Sequence, residues 1–244
     1  MRRSITFYSE GFKLDGDLFL PDDLRSGERR GGIVLAHGYT GVKDLYLRDN
    51  ARVQNEAGCV VLTFDYKGWG KSEGPRSRLA PMGRVADLQA AITVLGLQAQ
   101  VDEDRIGIYG TSYGGATVVW TAAIDTRVKC VVSCVGIGYG ARWMRSVRRP
   151  DEWHDLLARA RADREKRVTD GKSELADRSQ ILLPHRQSAE LAAAAPERHQ
   201  RAAARVHRRA RCRPSPPADF AGLRRAASDS VRSRRTSCPH RECW

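Results

Sequence analysis

The chain has 244 residues and a formal net charge of +13, with a sequence pI near 9.9. That length suits one α/β domain built on a single core. No run approaches the roughly 20 apolar residues of a membrane span, and the basic start "MRRSITFYSEGF" lacks the apolar stretch of a secretion signal, so a soluble cytoplasmic protein with no membrane partner is expected.

The first elements are strands. "SITFYS" and "LDGDLFLP" place apolar residues at alternate positions, the period of half-exposed strands, and predict a hairpin of edge strands ending at Pro21. "GGIVLAHG" is instead a continuous apolar run. It leads into "KDLYLRDNARVQNEAG", where Tyr46, Leu47, Ala51, Val53 and Ala57 share one helical side and Gly58 can close the end. The sequence repeats that order twice. "CVVLTFDY" precedes the glycine-rich "KGWGKSEG" and a helix with Val85, Leu88, Ile92 and Leu95 in 3-4-3 spacing. "RIGIYG" precedes a serine turn, the helix "GGATVVWTAAI" and a fourth apolar run, "VKCVVSCVG". Continuous apolar strands alternating with helices predict a mostly parallel sheet covered on both faces.

From residue 141 to 195 the pattern becomes helical and charged, with Trp153, Leu156, Leu157 and Ala160 along one side and a further helix at 187–195. This segment reads as a helical insertion or lid. Trp143 and Trp153 either line a pocket there or anchor the helix. Residues 196–244 hold thirteen arginines, no lysine and four acidic residues, +9 of the total charge, with Val206, Leu223 and Val231 as the large aliphatics. No core forms from that composition, so a disordered Arg-rich tail is expected. The abrupt change at residue 196 reads as a truncated or out-of-frame ending, with a genuine basic tail as the alternative. Aromatic interleaving is nearly absent in the tail, which argues against a nucleic-acid partner. Cys59, Cys130 and Cys134 lie in apolar runs and read as reduced core residues, whereas Cys212, Cys238 and Cys243 lie in the tail. None has zinc-ligand spacing, and no metal or organic cofactor is implied.

The chemistry centres on "YGTSYGG" at 109–115. A Gly-x-Ser-x-Gly string arises by chance in roughly one chain in ten of this length, so its setting decides its meaning. Here it joins a predicted strand to a predicted helix. Gly110 and Gly114 permit a turn too sharp for residues with a Cβ, and the helix directs its positive end at a developing oxyanion.

Together, "HGYTG" after the first parallel strand, "DYKGWGKSEG" after the second and "GTSYGG" after the third make the chain resemble the α/β-hydrolase family over about residues 4–195. The resemblance implies an α/β-hydrolase-type sheet flanked by helices, with residues 1–140 as its core. It implies a serine hydrolase of the esterase or prolyl-peptidase kind, with Ser112 as nucleophile and Tyr39 and Tyr113 as backbone donors to an oxyanion hole. Small-molecule or peptide acyl compounds are the implied substrates. His37 is expected to shape its loop, Asp65 to hold a turn, and "GWGKSEG" to line the rim of the site.

The family's acid and base follow the serine in chain order, each after a further strand. The candidates by type are Asp219, Asp229, His199, His207 and His240, and none follows an apolar strand. The triad acid and base are therefore unassigned. Impaired activity is expected, or an inactive hydrolase-fold remnant serving as a scaffold. The sequence does not reveal the oligomeric state.

Overall fold

The computed structural model describes residues 1–183. The helix expected at 187–195 and the Arg-rich segment at 196–244 lie outside the described residues. Two strands, β1 (Arg2–Ser9) and β2 (Phe12–Phe19), form an antiparallel hairpin. Its two-residue turn holds both Glu10 and Gly11 at positive φ, 47° and 82°, the backbone that matches the twist of the flanking strands. Next come β3 (Arg30–Ala36), α1 (Leu47–Glu56), β4 (Val60–Phe64), α2 (Pro81–Gly96), β5 (Val101–Thr111), α3 (Tyr113–Ile124) and β6 (Val128–Cys134). The six strands form one sheet in the order β1-β2-β4-β3-β5-β6. The four apolar runs are the four parallel strands, as expected. The hairpin departs from expectation in one respect. β2 pairs with β4 and is an interior strand, leaving β1 alone at that edge.

Helices cover both faces. On one side Val34, Leu62, Phe64 and Ile108 pack with Leu88, Ile92 and Leu95 of α2 and Val118 of α3. On the other, Leu35 and Val61 meet Leu47 and Ala51 of α1. Burying each such side chain contributes roughly 1.5–3 kcal/mol before ordering costs. The 3-4-3 spacing in α2 selects its buried face correctly, and Pro81 starts that helix where its missing N–H costs nothing. In α1 only Leu47 and Ala51 are buried, while Val53 is exposed.

The fourth parallel strand is not a core strand. Residues 129–134 of β6 are all exposed, with Val131 and Val132 at 42% and 47%. Among the described residues no strand pairs with its outer edge. Cys130 and Cys134 are consequently exposed rather than buried, and Cys59 is half-buried; all three are free thiols. Val119, Trp120 and Ile124 of α3 are exposed as well. An apolar run reports what a strand is made of but not whether a neighbour stands beside it.

Beyond β6 lie α4 (Gly140–Ser146), α5 (Pro150–Asp170) and α6 (Arg178–Ile181). Proline opens α5 and Gly171, at φ 68°, ends it. Trp153 is half-buried, whereas Leu157 is exposed. Arg148 ties the segment together by donating to the carbonyls of Gln180 (3.0 Å) and Ile181 (2.5 Å).

An exposed, apolar edge strand is a template for self-association. Val132→Lys is expected to lower light scattering on heating at fixed protein concentration, with the far-UV circular dichroism unchanged. Scattering equal to that of the wild type would show that β6 does not drive association.

Candidate active site

Ser112 sits between the last residue of β5, Thr111, and the first of α3, Tyr113. Its backbone has φ 55° and ψ −118°, a conformation that costs a non-glycine residue about 1–3 kcal/mol. Its N–H donates to the Cys134 carbonyl at 2.9 Å, so the end of β6 holds the turn in place. The side chain is half-buried and makes no helix-capping hydrogen bond.

The turn is as tight as its glycines allow. A Cβ on Gly110 would lie 2.2 Å from the Gly114 carbonyl oxygen. A Cβ on Gly114 would lie 2.3 Å from the Ala36 carbonyl oxygen and 2.7 Å from that of His37. Each lies below any distance at which a real Cβ and oxygen coexist. The start of α3 is therefore pressed against the end of β3, which brings the "HGYTG" loop to the serine. Gly38 is the point of contact, because a Cβ there would lie 3.3 Å from the Ser112 Cβ.

Tyr39 and Tyr113 are both half-buried and near enough for their phenols to interact electrostatically. Burial raises both phenol pKa values. The Tyr113 N–H opens α3, so no carbonyl of its own helix accepts it. The preceding loop amide, that of Gly38, donates to the Tyr46 hydroxyl at 2.7 Å. Thr111 donates its hydroxyl to the same oxygen at 3.1 Å, so Tyr46 links the loop to the end of β5. The loop is also bent, with Thr40 at φ 54°. Charges at Arg178 and Asp177, where α6 begins, reach the Tyr39 phenol.

His37 is fully buried. Its Nδ1 lies 3.0 Å from the Gly38 carbonyl, which can only accept, so Nδ1 carries the proton. Its Nε2 is buried without a hydrogen-bond partner, and the ring stands edge-on to Tyr66 at 4.7 Å. Burial, then the Arg84 charge, hold the imidazole pKa well below its ordinary value. His37 therefore shapes the loop, as expected.

Asp65 holds a turn, also as expected. Its carboxylate accepts from the amides of Lys43 (2.7 Å) and Lys71 (3.0 Å), fixing the end of the "HGYTG" loop against the "GWGKSEG" turn. Burial raises its pKa to about 6, against the pull of those amides. Lys43 is itself buried, with its ammonium 2.5 Å from Asp17 and 3.1 Å from Asp15.

Sequence reasoning gave no role to Arg84 and read Tyr46 only as part of a helix face. Arg84, on α2, is buried, donates to the His37 carbonyl, and stacks 3.6 Å from the Tyr66 ring centre. A cavity of about 210 Å³ lies beside it, lined in part by Phe12, Lys67, Trp69 and Asp87. Ser112, Tyr39 and Tyr113 do not line that cavity, so the "GWGKSEG" turn borders it rather than the serine. Among the described residues the histidines are His37 and His154, and His154 is exposed on α5. No group of metal-binding side chains is assembled among the described residues, and no helix there is long and apolar enough to cross a membrane. Asp219, Asp229, His199, His207 and His240 lie outside them.

The alpha/beta hydrolase fold family matches residues 32–221. An uncharacterized 31.7 kDa protein of Escherichia coli, from the traX-finO intergenic region, is 35% identical over 150 residues, 62% of this chain and 52% of that protein. The thiohydrolase aneE of Aspergillus aculeatus is 33% identical over 126 residues, 51% of this chain and 38% of its own length. The crystal structure of the alpha/beta hydrolase GrgF from Penicillium sp. sh18 superposes with a TM-score of 0.63 at 25% identity, covering 81% of this chain and 66% of that one. The chain spans about half the length of the Escherichia coli relative.

Two outcomes test this geometry. Gly114→Ala is expected to destabilise the fold by about 2 kcal/mol or more in denaturant unfolding, because backbone carbonyls must move to admit the methyl group. A loss below 0.5 kcal/mol would contradict the close approach. His37 is neutral when folded and gains a proton more readily when unfolded, so its contribution is complete above about pH 6.5 and is lost on acidification below that. Asp65, with its raised pKa, works in the opposite direction between about pH 6 and 4. Comparison with His37→Asn cancels the Asp65 effect. From pH 7.5 to 5.0 the wild type is expected to lose roughly 1–2 kcal/mol more than the variant. Parallel stability curves would place a titrating group elsewhere.

Proposed function

The chain belongs to the α/β-hydrolase fold family, and from that premise we propose that it hydrolyses acyl compounds with Ser112 as the nucleophile. The observation that carries this reading is the Ser112 backbone, φ 55° and ψ −118°, held between a strand end and a helix start. A residue kept in so costly a conformation by its surroundings is a mark of function, and this setting is that of a nucleophile elbow.

In the proposed reaction Ser112 Oγ attacks the acyl carbonyl carbon. The carbonyl electron pair moves to oxygen, and the Tyr39 and Tyr113 N–H groups donate hydrogen bonds to the resulting oxyanion. Each such donor supplies on the order of 3 kcal/mol. Collapse of the tetrahedral intermediate expels an alcohol, amine or thiol, which takes up the proton released by the serine. Water then attacks the acyl-serine by the same route, releasing the acid and restoring the hydroxyl. The helix α3 aims its positive N-terminal end at the developing charge. Esters and amides are the substrate classes implied by the motif, and similarity to a thiohydrolase adds thioesters.

The proton has no described acceptor. His37 is turned to Gly38, and His154 is exposed on α5. In a serine protease, loss of the histidine costs on the order of 10⁶ in turnover. Turnover well below that of a complete triad is therefore expected, unless a base comes from beyond residue 183.

A fluorophosphonate probe tests the assignment on the full chain. Labelling of the wild type, abolished in Ser112→Ala at equal folded content by circular dichroism, is the expected result. Equal labelling of both would move the nucleophile elsewhere, and labelling of neither would make the chain an inactive scaffold.

A further inference from the structure

Arg84 is the most unusual charge among the described residues. Its side chain lies inside the protein, 3% exposed for the whole residue, under the loop that runs from β3 to α1. One terminal nitrogen, Nη2, donates to the His37 carbonyl. The others, Nε and Nη1, are buried with no hydrogen-bond partner. The nearest acid in sequence, Asp87, acts on the guanidinium through space but makes no hydrogen bond to it; it accepts from the Lys67 amide at 2.9 Å and stands 3.3 Å from the Lys67 ammonium. Two aromatic rings also face the guanidinium, Tyr66 at 3.6 Å and Tyr113 at 5.3 Å from its carbon.

A buried cation with no carboxylate hydrogen-bonded to it costs several kcal/mol unless something else requires it. Ordinary packing does not require it, because a methionine fills similar space without the charge. The two groups it joins are specific. The His37 carbonyl lies two residues before the Tyr39 amide, in the loop that touches Ser112 through Gly38. Tyr113 carries the second proposed oxyanion donor on its own backbone. The guanidinium thus links the loop after β3, through the His37 carbonyl, with the Tyr113 ring at the start of α3.

We propose that Arg84 is a positioning residue for the oxyanion hole: it fixes the His37 peptide, and with it the Tyr39 N–H, against the Tyr113 side of the elbow, and its buried charge favours the developing oxyanion. The role rests on the reading of Ser112 as nucleophile. It acts through the loop and the field, without contact with substrate.

Three substitutions separate the components. Arg84→Lys keeps the charge and a donor, Arg84→Gln keeps a donor without the charge, and Arg84→Met removes both. Each is compared with the wild type and Ser112→Ala in two measurements on the full chain. The first is fluorophosphonate labelling, resolved into a maximal rate and a half-saturating probe concentration. The second is amide exchange of the peptide spanning 37–46, set against that of the β1–β2 hairpin as an internal control for global stability.

The maximal labelling rate is expected to fall about 10- to 100-fold in Arg84→Met, at an unchanged half-saturating concentration, and to stay within about fivefold in Arg84→Lys. Exchange in 37–46 is expected to rise in Arg84→Met while the hairpin is unaffected. A merely structural arginine would raise exchange in both peptides and leave the rate per folded molecule unchanged, which would overturn the proposal. Should Arg84→Met fail to fold, Arg84→Gln carries the test, with at least tenfold slower labelling than Arg84→Lys expected and equal rates overturning it. Wild-type labelling no faster than that of Ser112→Ala would overturn the hydrolase reading and this inference together. Normal wild-type labelling with no effect at Arg84 would overturn the inference alone.

Discussion

The close approach of the β5–α3 turn to the end of β3 is the constraint on which the arrangement around Ser112 depends. Gly114 lies against the carbonyls of Ala36 and His37, and only a residue without a Cβ permits that distance. Because the turn is pressed there, the loop leaving β3 passes over Ser112. The strain at Ser112 is borne by several bonds: parallel pairing of β5 with β3 and β6, and the hydrogen bond from the Ser112 amide to Cys134. Strain of a few kcal/mol persists only where such bonds outnumber the ways of relieving it.

The loop is restrained from three directions, each chemically distinct. Tyr46 holds the Gly38 amide from the side of α1, Arg84 holds the His37 carbonyl from the side of α2, and Asp65 holds the Lys43 amide from the end of β4. A loop of backbone polar groups fixed by side chains from three elements is pre-organised before any substrate arrives. Catalytic groups held in this way reorganise little during reaction, which is the source of their electrostatic effect.

Much of this was legible in the sequence, and the remainder failed for identifiable reasons. The parallel strands, the α2 face through Val85, Leu88, Ile92 and Leu95, and the elbow around Ser112 all follow from local pattern. Local pattern is sufficient when the partners are a few residues apart. Tyr46 and Arg84 act over separations of 8 and 47 residues, on backbone groups that any sequence would carry. No spacing rule marks such a residue. An arginine within an amphipathic helix ordinarily lies on the solvated face, and the exception at position 84 is visible only when α2 is seen packed beneath the loop. β6 failed for the opposite reason. Its composition is that of a buried strand, but burial is a property of the neighbours, and among the described residues its outer side has none.

The division of labour in the proposed mechanism follows from where these restraints lie. The proposed nucleophile and both proposed oxyanion donors belong to residues 39–113, held by strands and helices within the first 134 residues. Proton transfer in this proposal requires a base from outside that set, since of the described histidines one is buried with its Nδ1 turned to the Gly38 carbonyl and the other is exposed on α5. In serine proteases the oxyanion hole and binding alone retain a rate 10³–10⁴-fold above that in water when triad members are removed. Charge stabilisation and proton transfer are therefore separable physically as well as in sequence. In the proposed mechanism, stabilising the oxyanion depends on dipoles carried by the β3–α1 loop and α3. Moving the proton depends on one side chain reaching within hydrogen-bond distance of Ser112 Oγ, a far looser requirement on the fold and a far stricter one on a single residue.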